Sequence, residues 1–331
     1  MEPERRVRRA RSIVFAAKIA TIVLLTIPAA AEDRQAVLDA PAPPTLPALA
    51  HPSLTYTFEY TAASIDPKTL LSSGGRASAW FAHNEIELPL QSRKWYLGAA
   101  HDIAAGAVPG VGHGLFFGNP EIWGRGLWSS PVGLSSGAGL GVVLPLPRRL
   151  DEVDADVLQT VRVVRPWDAA YFNDRILTVR PWFDIRHIVG RFIFQFRQGL
   201  DVTVAVRPLR RGERRVALPG GGTFINDEIV EHRTDFVARA TLYLGFRATK
   251  EIGLGLEVWE VYQVSAAIDD DKRASVTLSP SIRFMLGRVA PALSMLIPLT
   301  TPLRGEAASY YAARLAVAFD FDAGLSKSAS R

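Results

Sequence analysis

The chain has 331 residues, a formal net charge of +5 and no cysteine. The absence of cysteine excludes disulfides, thiolate metal ligands and cysteine nucleophiles. The first 31 residues carry six basic and two acidic side chains, so most of the net positive charge lies there. The basic isoelectric point is therefore not evidence for nucleic-acid binding, and we predict no nucleic-acid partner.

Residues 1–31 have the pattern of a secretory signal peptide. An arginine-rich start, MEPERRVRRARS, precedes the apolar run IATIVLLTIPA, and the three alanines at 29–31 provide a small-residue cleavage site. Lys18 interrupts the apolar stretch and Pro28 ends it, which leaves roughly 10 apolar residues where a membrane-spanning helix needs about 20. The sequence predicts export and cleavage after Ala31.

Residues 32–53 contain the stretch APAPPTLPALAHP. Proline at this density cannot join a sheet ladder, so we predict an extended linker on the periplasmic side. We assign residues 54–322 to a single β domain and residues 323–331 to a C-terminal tail.

The most informative stretch is residues 132–147, VGLSSGAGLGVVLPLP. Mostly aliphatic side chains on one face alternate with glycine-rich small residues on the other, which is the period of two of a β-strand. A core strand of a globular domain is usually about five or six residues long. A tilted strand that crosses a bilayer needs about 9–11 residues, with aliphatic groups facing lipid. The pattern therefore favours a membrane-spanning strand.

The same alternation recurs in twelve segments, which cover residues 54–62, 77–90, 95–105, 116–128, 132–147, 175–187, 192–206, 236–248, 252–264, 274–286, 289–298 and 310–322. Short connections (92–93, 129–131, 188–190, 249–251 and 287–288) alternate with longer ones (66–75, 106–114, 148–174, 208–235, 266–272 and 300–308). Outer-membrane barrels show this alternation, and a soluble β-sandwich does not require it. We predict an all-β fold, a transmembrane antiparallel up-and-down β-barrel of about 12 strands.

Charged side chains occupy the polar face of almost every predicted strand. The candidate lumen-lining residues are Glu59, Glu85, Glu87, Glu121, Arg125, Arg180, Asp184, Arg186, Arg197, Asp201, Arg239, Arg247, Glu257, Arg283 and Arg314. Two interpretations remain open. Charges that line a narrow barrel must pair to offset their desolvation, which is a structural role. An arginine-rich wall also attracts anions and binds carboxylates, which is the role of a weakly selective polar pore.

Two of the longer connections carry further patterns. The basic run RPLRRGERR, residues 207–215, is predicted outside the cell, either as a solvated loop or as a surface for lipid phosphates and acidic solutes. Residues 148–174 contain apolar positions at helical spacing, namely Leu150, Val153, Val157, Leu158 and Val161. We expect this segment to fold over the barrel mouth or into it.

No metal, cofactor or catalytic site is predicted. The six histidines are scattered without metal-ligand spacing, and the acidic cluster at 151–156 matches no calcium-binding loop. A membrane-embedded hydrolase would need serine, histidine and an orienting polar residue on one lipid-facing patch. His101 is the candidate for that histidine, and no serine motif lies beside it.

The stretch GNPEIWGR at 118–125, followed by a turn and GLGVVLPLP at 139–147, resembles outer-membrane proteins grouped with meta-pathway phenol-degradation transporters. The resemblance continues through LYLGFRATKEIGLGLEV at 242–258 and LSPSIRFMLG at 278–287, and it covers about residues 115–321. It implies a barrel in the bacterial outer membrane that transports aromatic hydrocarbons.

The last strand, RLAVAFDF at 314–321, resembles the C-terminal signal that the barrel-insertion machinery reads. The expected partners are that machinery, outer-membrane lipid and a small-molecule solute. The leading hypothesis is a channel or transporter for passive uptake of small solutes, with hydrophobic or aromatic solutes as candidates. The alternative is a non-conducting barrel with a structural or binding role. The membrane-embedded hydrolase is the least favoured of the three, and we predict no enzyme.

Overall fold

The computed structural model describes residues 53–67, 75–90, 94–129, 134–146, 152–206, 215–217, 223–225, 234–265, 273–300 and 307–321. The predicted signal peptide, the C-terminal tail and all of the predicted linker except Ser53 lie outside these residues, as does most of the basic run at 207–215. Those assignments stay predictions.

The described residues form mainly β-strands. In chain order these are β1 (Leu54–Pro67), β2 (Ala77–Pro89), β3 (Trp95–Val108), β4 (Gly112–Phe117), β5 (Glu121–Ser129), β6 (Leu134–Val143), β7 (Ile176–Val189), β8 (Phe192–Ala205), β9 (Arg215–Ala217), β10 (Thr223–Ile225), β11 (Thr234–Arg247), β12 (Ile252–Gln263), β13 (Ala274–Phe284), β14 (Val289–Met295), β15 (Ile297–Pro298) and β16 (Ala307–Phe321).

The long strands form one closed antiparallel barrel of 12 strands. β4 and β5 count as one strand, since both pair with β3 and only residues 118–120 separate them. β14 and β15 likewise count as one, because both pair with β13 and Leu296 alone lies between them. β9 and β10 form a separate hairpin. The predicted all-β barrel of about 12 strands is confirmed.

The two ends of the barrel carry different connections. We call one the turn end; Leu54 and Phe321 pair there, and it holds the short connections 90–94, 130–133, 190–191, 248–251 and 285–288. The opposite, loop end holds the connections 68–76, 109–111, 144–175, 206–233, 264–273 and 299–306. Gly190 and Gly287 adopt left-handed φ values of 57° and 68° in the turn-end hairpins, which glycine does without steric cost.

The connection between β3 and β4 departs from the prediction. We expected a long connection at 106–114, but residues 109–111 form a tight turn in which Val111 donates its N–H to the carbonyl of Val108 over 3.0 Å. Glycine is typical of loops, yet Gly106 lies in β3. A glycine is needed at this strand position because Val161 packs directly on its backbone: a Cβ on residue 106 would lie 2.7 Å from Cγ2 of Val161.

Apolar side chains cover the outside of the barrel and charged side chains its inside. Leu115, Phe117 and Ile122 face outward with 56%, 58% and 57% of their surface exposed, whereas Asp184 and Arg314 face inward with 1% exposed. Soluble proteins show the reverse arrangement. An apolar exterior is stable against lipid, provided that the closed ladder satisfies the backbone groups.

The connection between β6 and β7 contains two short helices. α1 spans Glu152–Val164, and a 3-10 helix follows at Pro166–Phe172. Of the five apolar positions predicted at helical spacing, Val157, Leu158 and Val161 are buried and form the packed face of α1, Val153 is exposed, and Leu150 lies outside the described residues. The structure places both helices inside the loop end of the lumen, and we call residues 152–173 the plug. Among the described residues, no helix is long and apolar enough to cross a membrane.

The plug packs against the inner wall of the loop-end half of the barrel. The wall side of this buried cluster consists of Ala63, Ile65, Ala77, Ala79, Phe81, Ala100, Ala104, Val108, Phe116, Val143, Trp259, Val261, Leu296 and Ala312. Alanine is frequent because small wall side chains leave room for a helix about 10 Å in diameter. Each buried valine or leucine of α1 contributes about 1.5–3 kcal/mol relative to an exposed one.

Gly98 allows a close contact in the turn-end half of the barrel, which yields a stability prediction. The ring of Trp123 covers Gly98, and a Cβ there would lie 2.1 Å from the ring carbon Cζ2. Trp123 also packs edge-on against Trp182, at 6.0 Å between ring centroids. We expect Gly98→Ala to destabilise the barrel by about 1–3 kcal/mol, because the ring must shift within a packed cluster.

Urea unfolding in lipid vesicles, followed by tryptophan fluorescence, measures this effect. Gly124→Ala is the matched control, because a Cβ at Gly124 meets its nearest neighbour at 3.4 Å, an ordinary contact. Equal unfolding midpoints for the two variants would contradict the prediction.

Candidate functional site

All the charged residues proposed to line the lumen lie at inward positions of barrel strands. The burial pattern alternates along each strand, and these residues belong to the inward set. They are buried except Glu85, Arg197 and Arg247, which are half-buried. They divide into a network of ion pairs in the middle of the lumen and a basic group near the turn end.

Arg180 on β7 forms the centre of the ion-pair network. Its Nη1 lies 2.8 Å from Oε2 of Glu121, and its Nε lies 3.2 Å from Oδ1 of Asp201. Arg239 on β11 donates to the same oxygen of Asp201 over 2.8 Å. Two guanidinium groups therefore share two carboxylates, which offsets part of the desolvation that burial imposes on each charge.

Two further pairs lie beside this centre. Arg197 binds Asp184 in a two-pronged arrangement, with Nε 2.5 Å from Oδ1 and Nη2 3.0 Å from Oδ2. Arg125 donates from Nε to Oε1 of Glu87 over 3.1 Å. A bidentate arginine–carboxylate pair such as Arg197 with Asp184 is stronger and more directional than a single contact, so both of its side chains are held in one geometry.

Arg314 on β16 closes the network on the opposite wall. It is fully buried and donates to Oε2 of Glu257 over 2.9 Å and to the hydroxyl of Ser294 over 2.8 Å. Its guanidinium also lies over the ring of Trp259, 4.6 Å from the centroid. The indole Nε1 of Trp259 donates to the same carboxylate of Glu257 over 2.9 Å, so the four side chains form one unit.

The plug reaches this network through Arg165, which lies between its two helices. The Arg165 guanidinium binds Glu59 on β1, donates to Oγ1 of Thr61 over 2.9 Å and pairs with Asp168 of the plug itself. The sequence pattern did not indicate Arg165 and Asp168 as lumenal residues. Helical spacing indicated a helix in this segment but carried no signal for its depth.

Asn119 fixes the end of the plug at the interruption between β4 and β5. Its backbone N–H donates to the carbonyl of Tyr171 over 2.6 Å, and its Nδ2 donates to the carbonyl of Asn173 over 2.7 Å. Its Oδ1 accepts the N–H of Leu146 over 3.1 Å. Asn119 is fully buried, and we had predicted it as part of one continuous strand. The break in the strand frees these backbone and amide groups to hold the plug.

Aromatic side chains of the plug lie against the arginines of the wall. The Arg180 guanidinium lies 5.0 Å from the ring centroid of Tyr171, and the Arg239 guanidinium lies 5.2 Å from that of Trp167. The hydroxyl of Tyr171 donates to Glu121, which also binds Arg180. The plug therefore lies over arginines and carboxylates that pair with each other on the wall. Cation–π contacts add to the stability of its docking.

Burial by itself raises the pKa of Asp168, but the positive charges of Arg165, His83 and Arg180 outweigh it and hold this pKa below its ordinary value. A lowered folded-state pKa means that the carboxylate stabilises the docked plug fully above the ordinary Asp pKa of about 3.9. The contribution is lost as the pH falls through the lowered value.

We expect acid to weaken plug docking through Asp168. Single-channel recordings should show few openings at neutral pH and progressively more frequent openings as the pH falls below about 4 and through the lowered pKa of this carboxylate. Asp168→Asn lacks the titrating group, so it should open more often at neutral pH and change less on acidification. A variant with the same pH dependence as the unmodified protein would contradict this role.

His101, the histidine of the disfavoured hydrolase hypothesis, lies on the outward face of β3. Its backbone carbonyl accepts from Nδ2 of Asn84 over 3.5 Å. In the part of the chain that the structure describes, no group of three or more histidine, aspartate or glutamate side chains could hold a metal ion.

No family model and no curated protein matches this sequence. Among solved structures, an outer membrane channel from Pseudomonas putida F1 is similar over 85% of this chain and 100% of its own, with a TM-score of 0.56 and 10% identity. The beta domain of a Bordetella autotransporter (TM-score 0.42, 9% identity, 81% of this chain and 100% of that chain) and the CymD monoaromatic hydrocarbon channel (TM-score 0.40, 9% identity, 89% and 95%) are less similar. The first likeness shows the barrel fold; the other two are too weak to add to it.

Proposed function

We propose that this chain is a channel of the bacterial outer membrane for small solutes, closed by its own plug. The observation that carries the proposal is the position of residues 152–173 inside a charge-lined lumen. A segment held there by side-chain contacts and by the hydrogen bonds from Asn119 can leave without opening the barrel wall. The Pseudomonas putida protein with the same barrel fold is itself described as an outer membrane channel.

The composition of the lumen supports transport over a purely structural role. Replacing a buried ion pair by well-packed apolar side chains is often neutral or stabilising, so stability alone does not explain a lumen filled with arginines. Arg180, Arg239 and Arg314 are nonetheless buried and directed inward. Such groups are useful when water and solute replace the plug, because they then line a hydrated path.

The wall that the plug covers supports hydrophobic or aromatic solutes as a finer proposal. Displacement of the plug would uncover Phe81, Phe116 and Trp259 together with the wall alanines. A solute entering from the loop end would meet this apolar surface before it reached the ring of charges. The path would therefore suit a molecule with an apolar body and a polar or charged group.

The proposed orientation places the turn end in the periplasm. Both barrel termini lie at that end, as in other outer-membrane barrels. The signal peptide at residues 1–31 would direct export, and the strand that ends at Phe321 would present the C-terminal signal to the barrel-insertion machinery. Lipid is the partner of the apolar exterior.

A non-conducting barrel with a structural role is the second candidate, and the completeness of the ion-pair network favours it. Pairs such as Arg180 with Glu121 and Arg197 with Asp184 link strands along the inner wall. If these pairs persist after the plug leaves, their role is to hold the strands of the wall together.

Single-channel conductance of the protein purified from bacterial outer membranes tests the proposal. We expect long closed periods with brief openings in planar bilayers, and a defined ion selectivity during the openings. Export to that membrane, and a mature N-terminus after Ala31, are checked on the same preparation. A folded protein that never opens, with the plug present or removed, would overturn the channel function and leave the structural role.

A further inference from the structure

The turn-end half of the lumen contains a patch of basic and polar side chains. Arg186, Gln195, Tyr243, Glu257 and Ser279 are direct neighbours across five adjacent strands, β7, β8, β11, β12 and β13. Arg283 lies four residues after Ser279 on β13, toward the turn end. It is in register with Gly253 on β12, which pairs with Arg247 on β11. One patch of the inner wall therefore holds three arginines.

The polar groups of this patch are buried. Arg186, Gln195 and Tyr243 are 2%, 1% and 4% exposed, and Arg283 is 9% exposed. Among the described residues, neither the amide nitrogen nor the amide oxygen of Gln195 has a hydrogen-bond partner, and the same holds for Nε of Arg283. A buried amide or guanidinium without a partner is costly, and nearly all such groups in native proteins are satisfied.

The arginines of the patch repel one another. Arg186 lies within electrostatic range of both Arg283 and Arg247, which repel it. Glu257 is the acid within range of Arg283. Its carboxylate, however, already binds Arg314 over 2.9 Å, so its negative charge is shared with that arginine.

Tyr243 and two isoleucines give the patch an apolar side. The Tyr243 ring lies flat on two glycines: a Cβ at Gly255 would lie 2.5 Å from its Cε2, and a Cβ at Gly245 would lie 2.8 Å from its hydroxyl oxygen. Its hydroxyl therefore points toward the turn end, from the level of Arg186 to that of Arg283. Ile188 and Ile193 pack with Tyr243 in one buried cluster.

We propose that Arg186, Gln195, Tyr243 and Arg283 bind a small organic carboxylate at the turn end of the lumen. Guanidinium groups bind carboxylates in a bidentate geometry, and the Gln195 amide would donate a further hydrogen bond. The carbon body of the ligand would lie against Tyr243, Ile188 and Ile193. This inference rests on the proposed channel function, since it names the solute class that the lumen would bind in transit.

Isothermal titration calorimetry of the purified full-length mature protein tests the site. We would titrate benzoate, acetate and inorganic phosphate at constant ionic strength, with chloride as the background anion. Benzoate should bind best, because it presents both a carboxylate and an apolar body. Phosphate that binds more tightly than benzoate, or an absence of binding by all three anions, would overturn the proposal.

Arg283→Gln is the decisive variant, and it should bind benzoate about tenfold or more weakly, because a charge-assisted hydrogen bond is lost. The variant should unfold at no lower urea concentration than the unmodified protein, since it removes a buried positive charge that Arg314 and Arg186 repel. Arg76→Gln, which removes an exposed arginine at the loop end, is the matched control and should bind benzoate normally. Normal binding by Arg283→Gln would overturn the proposal.

The two proposals fail in different ways. A protein that binds benzoate through Arg283 but never conducts would retain the site and lose the channel function. A protein that conducts but shows no carboxylate binding would lose the site alone.

Discussion

Removal of the plug is expected to raise the conductance at least about tenfold, because 12 strands enclose a wider lumen than the eight-stranded barrels that side chains fill. The variant lacks residues 152–173 and joins the flanking residues through a short Gly-Ser linker. Val143 on β6 and Thr178 on β7 are direct neighbours in the sheet, so the shorter connection leaves the barrel closed. Single-channel recordings in planar bilayers measure the change.

A point variant that keeps the full chain length also tests whether the plug closes the channel. Val161 is fully buried against Gly106, so Val161→Asp places a carboxylate in an apolar contact and should displace the plug. Val153 lies on the same helix but is 41% exposed, so Val153→Asp should leave the channel closed. A deletion variant as silent as the intact protein would show that the charge network alone closes the lumen.

Arg180→Met should destabilise the barrel by about 3–5 kcal/mol, the usual cost of breaking a buried ion pair from one side. Arg180 is 4% exposed and binds both Glu121 and Asp201. Asp201 keeps Arg239, but Glu121 loses its cation and retains the Tyr171 hydroxyl. Urea unfolding in lipid vesicles measures the loss.

Two controls separate the charge effect from a packing effect. Arg180→Met combined with Glu121→Gln removes the orphaned carboxylate and should recover at least about half of the lost stability. Arg76→Met removes an arginine that pairs with Asp66 at 3.8 Å, with both side chains about two-fifths exposed, and should cost at most about 1 kcal/mol. A double variant no more stable than Arg180→Met would assign the loss to packing instead.

The alternation of side chains was enough to predict the barrel strands. Segments such as 192–206 and 252–264 differ from β8 and β12 by one residue at most at either end. A strand that faces lipid on one side and a charged lumen on the other must alternate, so its sequence carries the fold locally. The connection at 106–114 was predicted wrongly because Gly106 lies in a strand for a reason that is not local: Val161 packs on it.

The partners of the charges could not be predicted in the same way. Alternation assigns Arg180 and Glu121 to the inner face, but they are 59 residues apart in the chain. Their contact depends on the register of β5, β6 and β7 and on the tilt of the strands. The break at Asn119 could not be predicted either, because Asn119 holds the end of the plug at Tyr171 and Asn173, more than fifty residues later in the chain.

The sequence by itself determined the closed antiparallel barrel, its strand number and the polarity of its two faces, because each of these follows from a period of two repeated along the chain. Only the tertiary structure decided that residues 152–173 enter the lumen, that Arg165 and Asp168 join the wall charges, and that Nε of Arg283 has no hydrogen-bond partner among the described residues. Those features depend on which strands become neighbours and on how much room small wall residues such as Ala104 leave between them. Neither is encoded in any single segment.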